Sequence, residues 1–148
     1  MTPTPSPIRV LCIDDLPDIT AVMKLMIDAE TDMKCVGCSH SANGLVEDVG
    51  RLNPPADASE SPLIVVLDAS MPGKDSFEAL RELATAFPVV RTIIYSGYEG
   101  REFADRAIDA GAWGCVAKGD DPSAIVAAVR EVAAGNTCFP EAALGAMA

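Results

Sequence analysis

Two apolar segments that run into acidic residues constrain this chain more than any other feature. Residues 8–13 read IRVLCI and lead into Asp14 and Asp15, and residues 63–67 read LIVVL and lead into Asp68. Strands this apolar are typical of a parallel sheet, because both faces of such a sheet are buried. They accept a carboxylate only where they emerge from the core. The sequence therefore predicts two buried strands that end in carboxylates.

Two further apolar segments end in other polar groups. Residues 89–95 lead into Ser96, and residues 114–117 lead into Lys118. In an open parallel sheet the carboxyl ends of the strands form the edge at which ligands bind. We therefore expect the three carboxylates, the hydroxyl and the ammonium group to meet there. Few chemistries use that set, and binding a divalent cation together with a phosphoryl group is one of them.

Helical periodicity follows each strand, and a weaker strand of mixed polarity at 33–39 is expected at a sheet edge. The periodic positions are Ile19, Val22, Met23, Met26 and Ile27, then Leu45, Val49 and Leu52, then Phe77, Leu80, Ala84 and Phe87, then Ala104, Ala107, Ile108 and Gly111, then Ile125, Ala128, Val129 and Val132. Five β-α units predict an α/β fold with five helices around a doubly wound, five-stranded parallel sheet. In the flavodoxin-like order 2-1-3-4-5, the binding crevice opens between strands one and three. Those strands carry the acidic residues.

The acidic residues predict a metal site. Neighbouring carboxylates repel each other at neutral pH unless a cation or raised pKa values relieve the repulsion. A hard ion such as Mg2+ takes carboxylate, water and phosphate oxygens. Asp68 is the candidate nucleophile toward phosphorus, since its central strand should set it between the acidic pair and Lys118. Lys118 and the hydroxyl of Ser96 could then stabilise the oxygens of the transferring group.

Bulk properties exclude several classes of protein. The 148 residues predict one domain. No apolar stretch reaches the roughly 18 to 20 residues of a membrane span, and the Pro-rich N-terminus does not resemble a signal peptide. A net charge of −11 argues against nonspecific contact with DNA or anionic membranes. We therefore expect a cytoplasmic protein that touches neither membrane nor nucleic acid.

The five cysteines do not predict a disulfide framework, because their number is odd and secretory context is lacking. Residues 35–38 spell C-x-x-C. Positions three apart on a strand point to opposite faces, and no second pair completes a zinc site, so we expect neither a metal nor a redox role for Cys35 and Cys38. Cys12 and Cys115 lie inside strand segments and are expected to be small core residues.

From residue 8 to about 136, the chain resembles the receiver domain of two-component response regulators, and most closely receivers of the NarL/FixJ type. The resemblance rests on motifs spread over the chain, namely the acidic pair at 14–15, DASMPG at 68–73, Ser96 followed by Gly97, and AGAWG at 110–114 followed by Lys118. It implies the CheY-like form of the predicted fold. It also implies a flexible N-terminal tail at 1–7, a receiver domain at 8–136, and a C-terminal tail or linker at 137–148.

The resemblance implies a role for each site residue. Asp68 would accept phosphate from a phosphohistidine in a reaction that requires Mg2+ or Mn2+. The metal ligands would be Asp14, Asp15, Asp68 and the backbone carbonyl of Ser70, with Asp14 acting largely through water. Ser96 and Lys118 would bind the phosphoryl oxygens. Phosphorylation would change the face formed by the fourth helix, the fifth strand and the fifth helix.

The implied protein is a signalling domain and not an enzyme, although it would catalyse its own phosphorylation from small phosphodonors and its own dephosphorylation. Its expected partners are a sensor histidine kinase or phosphotransfer protein and a downstream protein or output domain. A phosphorylation-dependent dimer is also compatible with the family. Direct binding of nucleic acid by this chain is not expected.

Two positions depart from the family pattern. Cys115 stands where receivers usually carry Tyr or Phe. Tyr98 or Trp113 could substitute for that aromatic residue, but plain packing is the favoured role for both. Lys118 is followed by Gly119 instead of the usual Pro. The exposed loop predicted at 53–62 is longer than in most receivers. These departures concern the coupling to output and leave the acidic site intact.

Two other classes of α/β protein fit these residues less well. A phosphatase of the haloacid-dehalogenase type would carry its nucleophile in a D-x-D motif on the first strand and its acidic pair late in the chain. Here the acidic pair comes first, and Asp68 is followed by Ala69 and Ser70. A Rossmann dinucleotide-binding domain would need a Gly-rich turn after that strand. A receiver-like interaction module that is never phosphorylated remains the open alternative.

Overall fold

The computed structural model describes residues 7–54, 62–71, 73–97 and 101–139. Its core is one parallel sheet in the order β2-β1-β3-β4-β5, as the sequence predicts. The strands are β1 Ile8–Ile13, β2 Met33–Ser39, β3 Leu63–Asp68, β4 Arg91–Ser96 and β5 Gly114–Ala117. Every residue of the central strand β3 is buried, and Asp68 is its last residue. The mixed strand β2 lies at the sheet edge.

Five helices cover the two faces of this sheet, and their bounds are α1 Pro17–Asp28, α2 Leu45–Arg51, α3 Ser76–Ala86, α4 Arg101–Ala110 and α5 Ser123–Ala133. Helices α2, α3 and α4 pack their apolar side chains on one face, and α1 and α5 pack on the other. Right-handed crossovers between parallel strands produce such a two-sided arrangement. No helix among the described residues combines the length and hydropathy needed to cross a bilayer.

Some predicted details differ from the structure. Strand β4 begins at Arg91 instead of residue 89, because a turn precedes it in which the Val90 amide donates to the Phe87 carbonyl. On α1, Val22 belongs to the predicted apolar face but is 49% exposed. The buried side of α1 is narrower and consists of Thr20, Met23 and Ile27.

Hydrogen bonds close both ends of α5. Asp121 Oδ1 accepts a hydrogen bond from the Ser123 amide, as a helix-capping side chain does. At the other end, Gly135 has φ +96°, and the Asn136 amide donates to the Glu131 carbonyl. This bonding closes the helix in a Schellman motif.

Beyond α5, the chain turns back onto the sheet. Cys138 forms a parallel bridge with Gly114, and the Cys115 amide donates to the Cys138 carbonyl at 2.9 Å. A Cβ atom at Gly114 would lie 2.6 Å from that carbonyl oxygen, so glycine is required for the close approach. The domain boundary at residue 136 stays a prediction. Residues 1–6, 55–61, 72, 98–100 and 140–148 lie outside the described residues, and they include Tyr98 and most of the predicted tails and loop.

Strand β2 contains an irregularity that the sequence does not reveal. Val10 pairs with Cys35 and Leu11 pairs with Gly37, so β2 has one extra residue, a β-bulge. The bulge restores Cys35 and Cys38 to the same face, and their Sγ atoms lie 3.9 Å apart. The expectation that these cysteines point to opposite faces is therefore wrong, because it assumed a regular strand.

Candidate functional site

An acidic cluster lies at the carboxyl end of the two central strands. Ile13 of β1 pairs with Leu67 of β3, so the residues that follow them, Asp14 and Asp68, lie side by side. Carboxylate oxygens of Asp14, Asp15 and Asp68 lie within 4.8 Å of one another. Asp14 and Asp68 are buried, and Asp15 is half-buried. The structure thus brings together the three carboxylates that the sequence predicts at this edge.

Lys118 provides the positive charge of this cluster. Its Nζ lies 2.8 Å from Asp14 Oδ2 and 3.3 Å from Asp68 Oδ2. The same ammonium group lies 5.5 Å from the centre of the Tyr95 ring. The Lys118 amide donates to the Ser96 carbonyl at 2.7 Å, which fixes the backbone that carries this side chain. One ammonium group thus faces two buried carboxylates, with a third carboxylate beside them.

The environment shifts the ionisation of the groups in contact. Burial raises the pKa of the Asp68 carboxyl above its ordinary value, and the nearby charge of Asp14 adds to this effect. The Ser70 amide and Lys118 oppose the shift but do not cancel it. Burial alone would lower the pKa of Lys118, yet its contacts with Asp14 and Asp68 raise that pKa overall. The ammonium group is therefore charged at neutral pH.

The donor set fits a hard divalent cation. Asp14 Oδ2 is buried and accepts no hydrogen bond of acceptable geometry from the described residues, although the Lys118 ammonium lies close enough for an ion pair. A buried carboxylate oxygen with an unused lone pair, beside two other carboxylates, is a site at which negative charge exceeds positive charge. Mg2+ and Mn2+ prefer such oxygen ligands. The residues present can therefore bind such an ion.

The backbone around Asp68 is held by hydrogen bonds. The Ser70 amide donates to Asp68 Oδ1 at 3.0 Å, and the hydroxyl of Ser76 donates to the Asp68 carbonyl at 2.7 Å. Asp75 caps α3 by accepting from the Phe77 amide, so the buried Ser76 is the first residue of that helix. The sequence does not single out Ser76. The Asp-Ser pair before an apolar helix is the one signal that could have indicated it.

We expect Ser76→Ala to destabilise the fold by about 1–2 kcal/mol, because it leaves the buried Asp68 carbonyl without this donor. Chemical denaturation measures the change. Thr85→Ala is the matched control, since the hydroxyl of the exposed Thr85 donates to the Arg81 carbonyl within α3. A Ser76→Ala loss no larger than that of the control would contradict this role.

The loop between β3 and α3 is anchored to the loop before α2. The Lys74 amide donates to Asn43 Oδ1 at 3.0 Å. Gly73 adopts φ +93°, a conformation that side chains disfavour, and a Cβ atom there would lie 3.2 Å from Asn43 Oδ1. This geometry explains the glycine of the segment that follows Asp68.

The other predicted site residues lie at the same edge. Asp68 pairs with Tyr95, so the buried Ser96 follows one position later on the neighbouring strand β4. Ser96 in turn pairs with Ala117, which precedes Lys118. Ser70 lies beside the cluster through its amide, and the role of its carbonyl as a metal ligand stays a prediction. The ligand and catalytic roles assigned from sequence likewise stay predictions.

Packing accounts for the first departure from the family pattern, at Cys115, and not for the second, at Gly119. Cys115 is buried within the apolar cluster that faces α4. Trp113 packs under the guanidinium of Arg91, whose Cζ lies 4.6 Å from the ring centre, and Arg91 also donates to the Val132 carbonyl. This is the packing role expected for Trp113. The peptide bonds of the described residues are all trans, including Lys118–Gly119.

Comparison with known proteins agrees with this geometry. The family model described as response regulator receiver domain matches residues 10–130. The uncharacterized transcriptional regulatory protein YxjL of Bacillus subtilis is 26% identical over 132 residues, which are 89% of this chain and 57% of that protein. The transcription regulator BvgA of Bordetella pertussis is 27% identical over 139 residues, 94% of this chain and 62% of that protein. The chain thus spans a little over half the length of these relatives.

A solved structure shows the same fold. The two-component response regulator of the LuxR family from Aurantimonas superposes with a TM-score of 0.82 at 26% identity. The match covers 95% of this chain and 94% of that one. The strand order and the helix arrangement predicted from sequence are therefore confirmed.

The predicted set of partners is wrong in setting nucleic acid aside. YxjL and BvgA are named as regulators of transcription, a process that acts on DNA. The expectation rested on the net charge of −11, which is the charge of this chain alone. Phosphate binding depends on local Lys and Arg clusters, so the charge of one domain does not report on the partners of a longer protein.

Proposed function

The chain belongs to the receiver domain family of two-component response regulators, and we propose that it accepts a phosphoryl group on Asp68 and signals through the resulting change. Receiver domains of this family are signalling domains and not classical enzymes. The observation that carries the assignment of Asp68 is the contact of Lys118 with both Asp14 and Asp68 inside the acidic cluster. No feature of the described residues favours the alternative of a module that is never phosphorylated.

The proposed reaction is an in-line displacement at phosphorus. An oxygen of the Asp68 carboxylate forms a bond to the phosphorus of a phosphohistidine, and the phosphorus–nitrogen bond breaks. The histidine nitrogen leaves with the bonding electron pair and takes up a proton. Asp68 requires its ionised form for this attack, and the hydrogen bond from the Ser70 amide orients the carboxylate while its backbone is held by Ser76.

Positive charge at the site supports the transfer. A Mg2+ or Mn2+ ion bound by Asp14, Asp15, Asp68 and the Ser70 carbonyl would supply Lewis-acid stabilisation of the phosphoryl oxygens. Lys118 would move from its ion pair with the Asp14 carboxylate to a phosphoryl oxygen, and the Ser96 hydroxyl would donate to another. Small phosphodonors could react in the same way, and attack of water on the phosphorus would break its bond to the Asp68 oxygen, release inorganic phosphate and regenerate the Asp68 carboxylate.

The proposed switch lies in Lys118 and Ser96. Ser96 is the last residue of β4, and Lys118 follows the last residue of β5. The Lys118 amide donates a hydrogen bond to the Ser96 carbonyl and so joins the two strand ends. A phosphoryl group that recruits both side chains therefore biases the face formed by α4, β5 and α5. In the whole protein this bias would control transcription, as the names of YxjL and BvgA suggest. A receiver core at 8–136 and a cytoplasmic location are part of the proposal.

Incubation with acetyl phosphate and Mg2+ tests the proposed function. We expect the intact mass to increase by one phosphoryl group, and the increase to disappear when EDTA removes the metal. The resting protein, incubated without a phosphodonor, gives the reference mass. A folded protein that gains no mass and shows no spectral response to beryllofluoride would support the module that is never phosphorylated.

Mg2+ should stabilise the fold. A ligand that binds only the native state at 100 times its dissociation constant raises the free energy of unfolding by about 2.7 kcal/mol. We expect this gain in denaturation experiments, and we expect Asp15→Asn to reduce it, because Asp15 belongs to the cluster. Asp109→Asn, at an exposed position on α4, is the control. Equal gains in both variants would show that the ion binds elsewhere.

The stabilisation by Mg2+ should decrease on acidification. Because the pKa of Asp68 is raised in the folded state, the native protein binds this proton more tightly than the unfolded chain does. Without metal, the Asp68 carboxyl therefore stabilises the folded state below pH 3.8, its ordinary pKa. This stabilisation is lost as the pH rises through the raised pKa of the folded state. Protonated Asp68 cannot bind the ion, so the gain from Mg2+ falls as the pH drops toward that raised value.

A further inference from the structure

Two cysteines lie close together on strand β2, away from the acidic cluster. The bulge in β2 places Val36 and Gly37 toward the face that carries Leu11. Cys35 and Cys38 consequently share the opposite face, and their Sγ atoms lie 3.9 Å apart. A regular strand would separate two residues at this spacing to opposite sides. The bulge therefore creates a pair of neighbouring thiols.

One member of the pair reaches solvent. Cys38 is exposed, whereas Cys35 is 6% exposed and packs with the apolar cluster under α1. Cys38 Sγ also donates to the Thr20 carbonyl of α1 at 3.8 Å. A small reagent can therefore reach Cys38, whose Sγ lies 3.9 Å from that of the buried Cys35.

We propose that Cys35 and Cys38 form a modification site at which a peroxide oxidises the two thiols to a reversible intramolecular disulfide. The Cys35 thiolate attacks one peroxide oxygen, the oxygen–oxygen bond breaks, and hydroxide leaves. The product is a sulfenic acid at Cys35. Cys38 sulfur then attacks the Cys35 sulfur, loses its proton and displaces the hydroxyl group as water. In total, two thiols and one hydrogen peroxide give one disulfide and two waters.

The surroundings of the thiols support this order of events. A hydrogen bond with Cys12 lowers the pKa of Cys35 to about 6, although burial opposes the shift. Burial and the neighbouring Cys35 raise the pKa of Cys38 to about 11. The lower pKa favours Cys35 as the thiolate that attacks first and Cys38 as the resolving thiol. Thiolate character is what makes a cysteine reactive toward peroxide.

A metal site is a weaker interpretation of these cysteines. Among the described residues, only the acidic cluster brings three or more possible ligand atoms of His, Cys, Asp or Glu within 4.8 Å of one another. Cys12, Cys35 and Cys38 do not form such a group. A structural zinc site requires four ligands, so two neighbouring thiols favour oxidation chemistry instead.

Treatment of the intact chain with hydrogen peroxide tests the proposal. We expect the protein to lose two hydrogens and two titratable thiols, and to regain them with dithiothreitol. Peptide mapping should locate the bond between Cys35 and Cys38. Cys38→Ser should abolish the loss of two hydrogens while leaving the far-ultraviolet circular dichroism spectrum unchanged, because its side chain is exposed.

The double variant Cys115→Ser, Cys138→Ser is the matched control, since those two cysteines lie together at β5, the edge of the sheet opposite to β2. It should form the disulfide as the unmodified chain does. Three outcomes would overturn the proposal: a bond that maps to other cysteines, a Cys38→Ser variant that still loses two hydrogens, or stable addition of oxygen to Cys35 in place of a disulfide. None of these readouts depends on phosphorylation, so the proposed function is tested separately.

Discussion

Replacing Asp68 with asparagine is expected to abolish phosphorylation of the chain by acetyl phosphate in the presence of Mg2+. The amide nitrogen and oxygen keep the size of the side chain but cannot act as the carboxylate nucleophile. Asp68 is the last residue of the central strand, and Lys118 Nζ lies 3.3 Å from its Oδ2. No other carboxylate of the cluster shares both the central strand and the Ser70 hydrogen bond. Intact-mass measurement after a fixed incubation gives the labelled fraction.

The variant should remain folded. The pKa of Asp68 is raised in the native state, so its ionised form is disfavoured there, and a neutral side chain removes that cost. Asp109→Asn, which changes an exposed residue of α4, should be labelled like the unmodified chain. Persistent labelling of folded Asp68→Asn protein would exclude Asp68 as the phosphoacceptor.

Replacing Lys118 with alanine is expected to slow phosphorylation by about 100-fold or more, since removal of one preorganised charge at a transition state typically has that effect. Mg2+ binding should be retained, because the three carboxylates remain and the ammonium group that pairs with Asp14 is gone. Phosphorylation rates followed by mass, together with calorimetric titration of Mg2+, separate the two effects.

The same substitution should also destabilise the metal-free protein. It leaves the buried carboxylates of Asp14 and Asp68 without their cation, a loss of about 1–3 kcal/mol once the partial exposure of Lys118 is considered. Mg2+ should restore much of that stability. Lys24→Ala is the control, because Lys24 forms an exposed ion pair with Asp28 on α1. A Lys118→Ala protein that is phosphorylated at the normal rate would contradict the proposed role.

The sequence predicts the fold and the location of the site because both depend on strand ends. Apolar strands must be buried, and the parallel topology brings their carboxyl ends to one edge. Once Ile13 pairs with Leu67, the proximity of Asp14 and Asp68 follows from the register. The arrangement of the acidic cluster was therefore predictable without any knowledge of side-chain packing.

Other features depend on details that residue patterns do not encode. The bulge at Val36 reverses the predicted orientation of the two cysteines, because one extra residue shifts every later side chain by one position. The exposure of Val22 depends on how far the neighbouring elements cover α1. Ser76 acts through a backbone carbonyl, and such a contact becomes visible only when the turn after β3 has been built.

A structure of the protein with Mg2+ and beryllofluoride decides whether Asp68 is the phosphoacceptor. We expect beryllium bound to an Asp68 carboxylate oxygen, with the metal beside Asp14 and Asp15. Lys118 Nζ should leave its 2.8 Å contact with Asp14 and bind a fluorine atom. A structure in which Asp68 carries no beryllofluoride and Lys118 keeps its contact with Asp14 would contradict phosphorylation at this site.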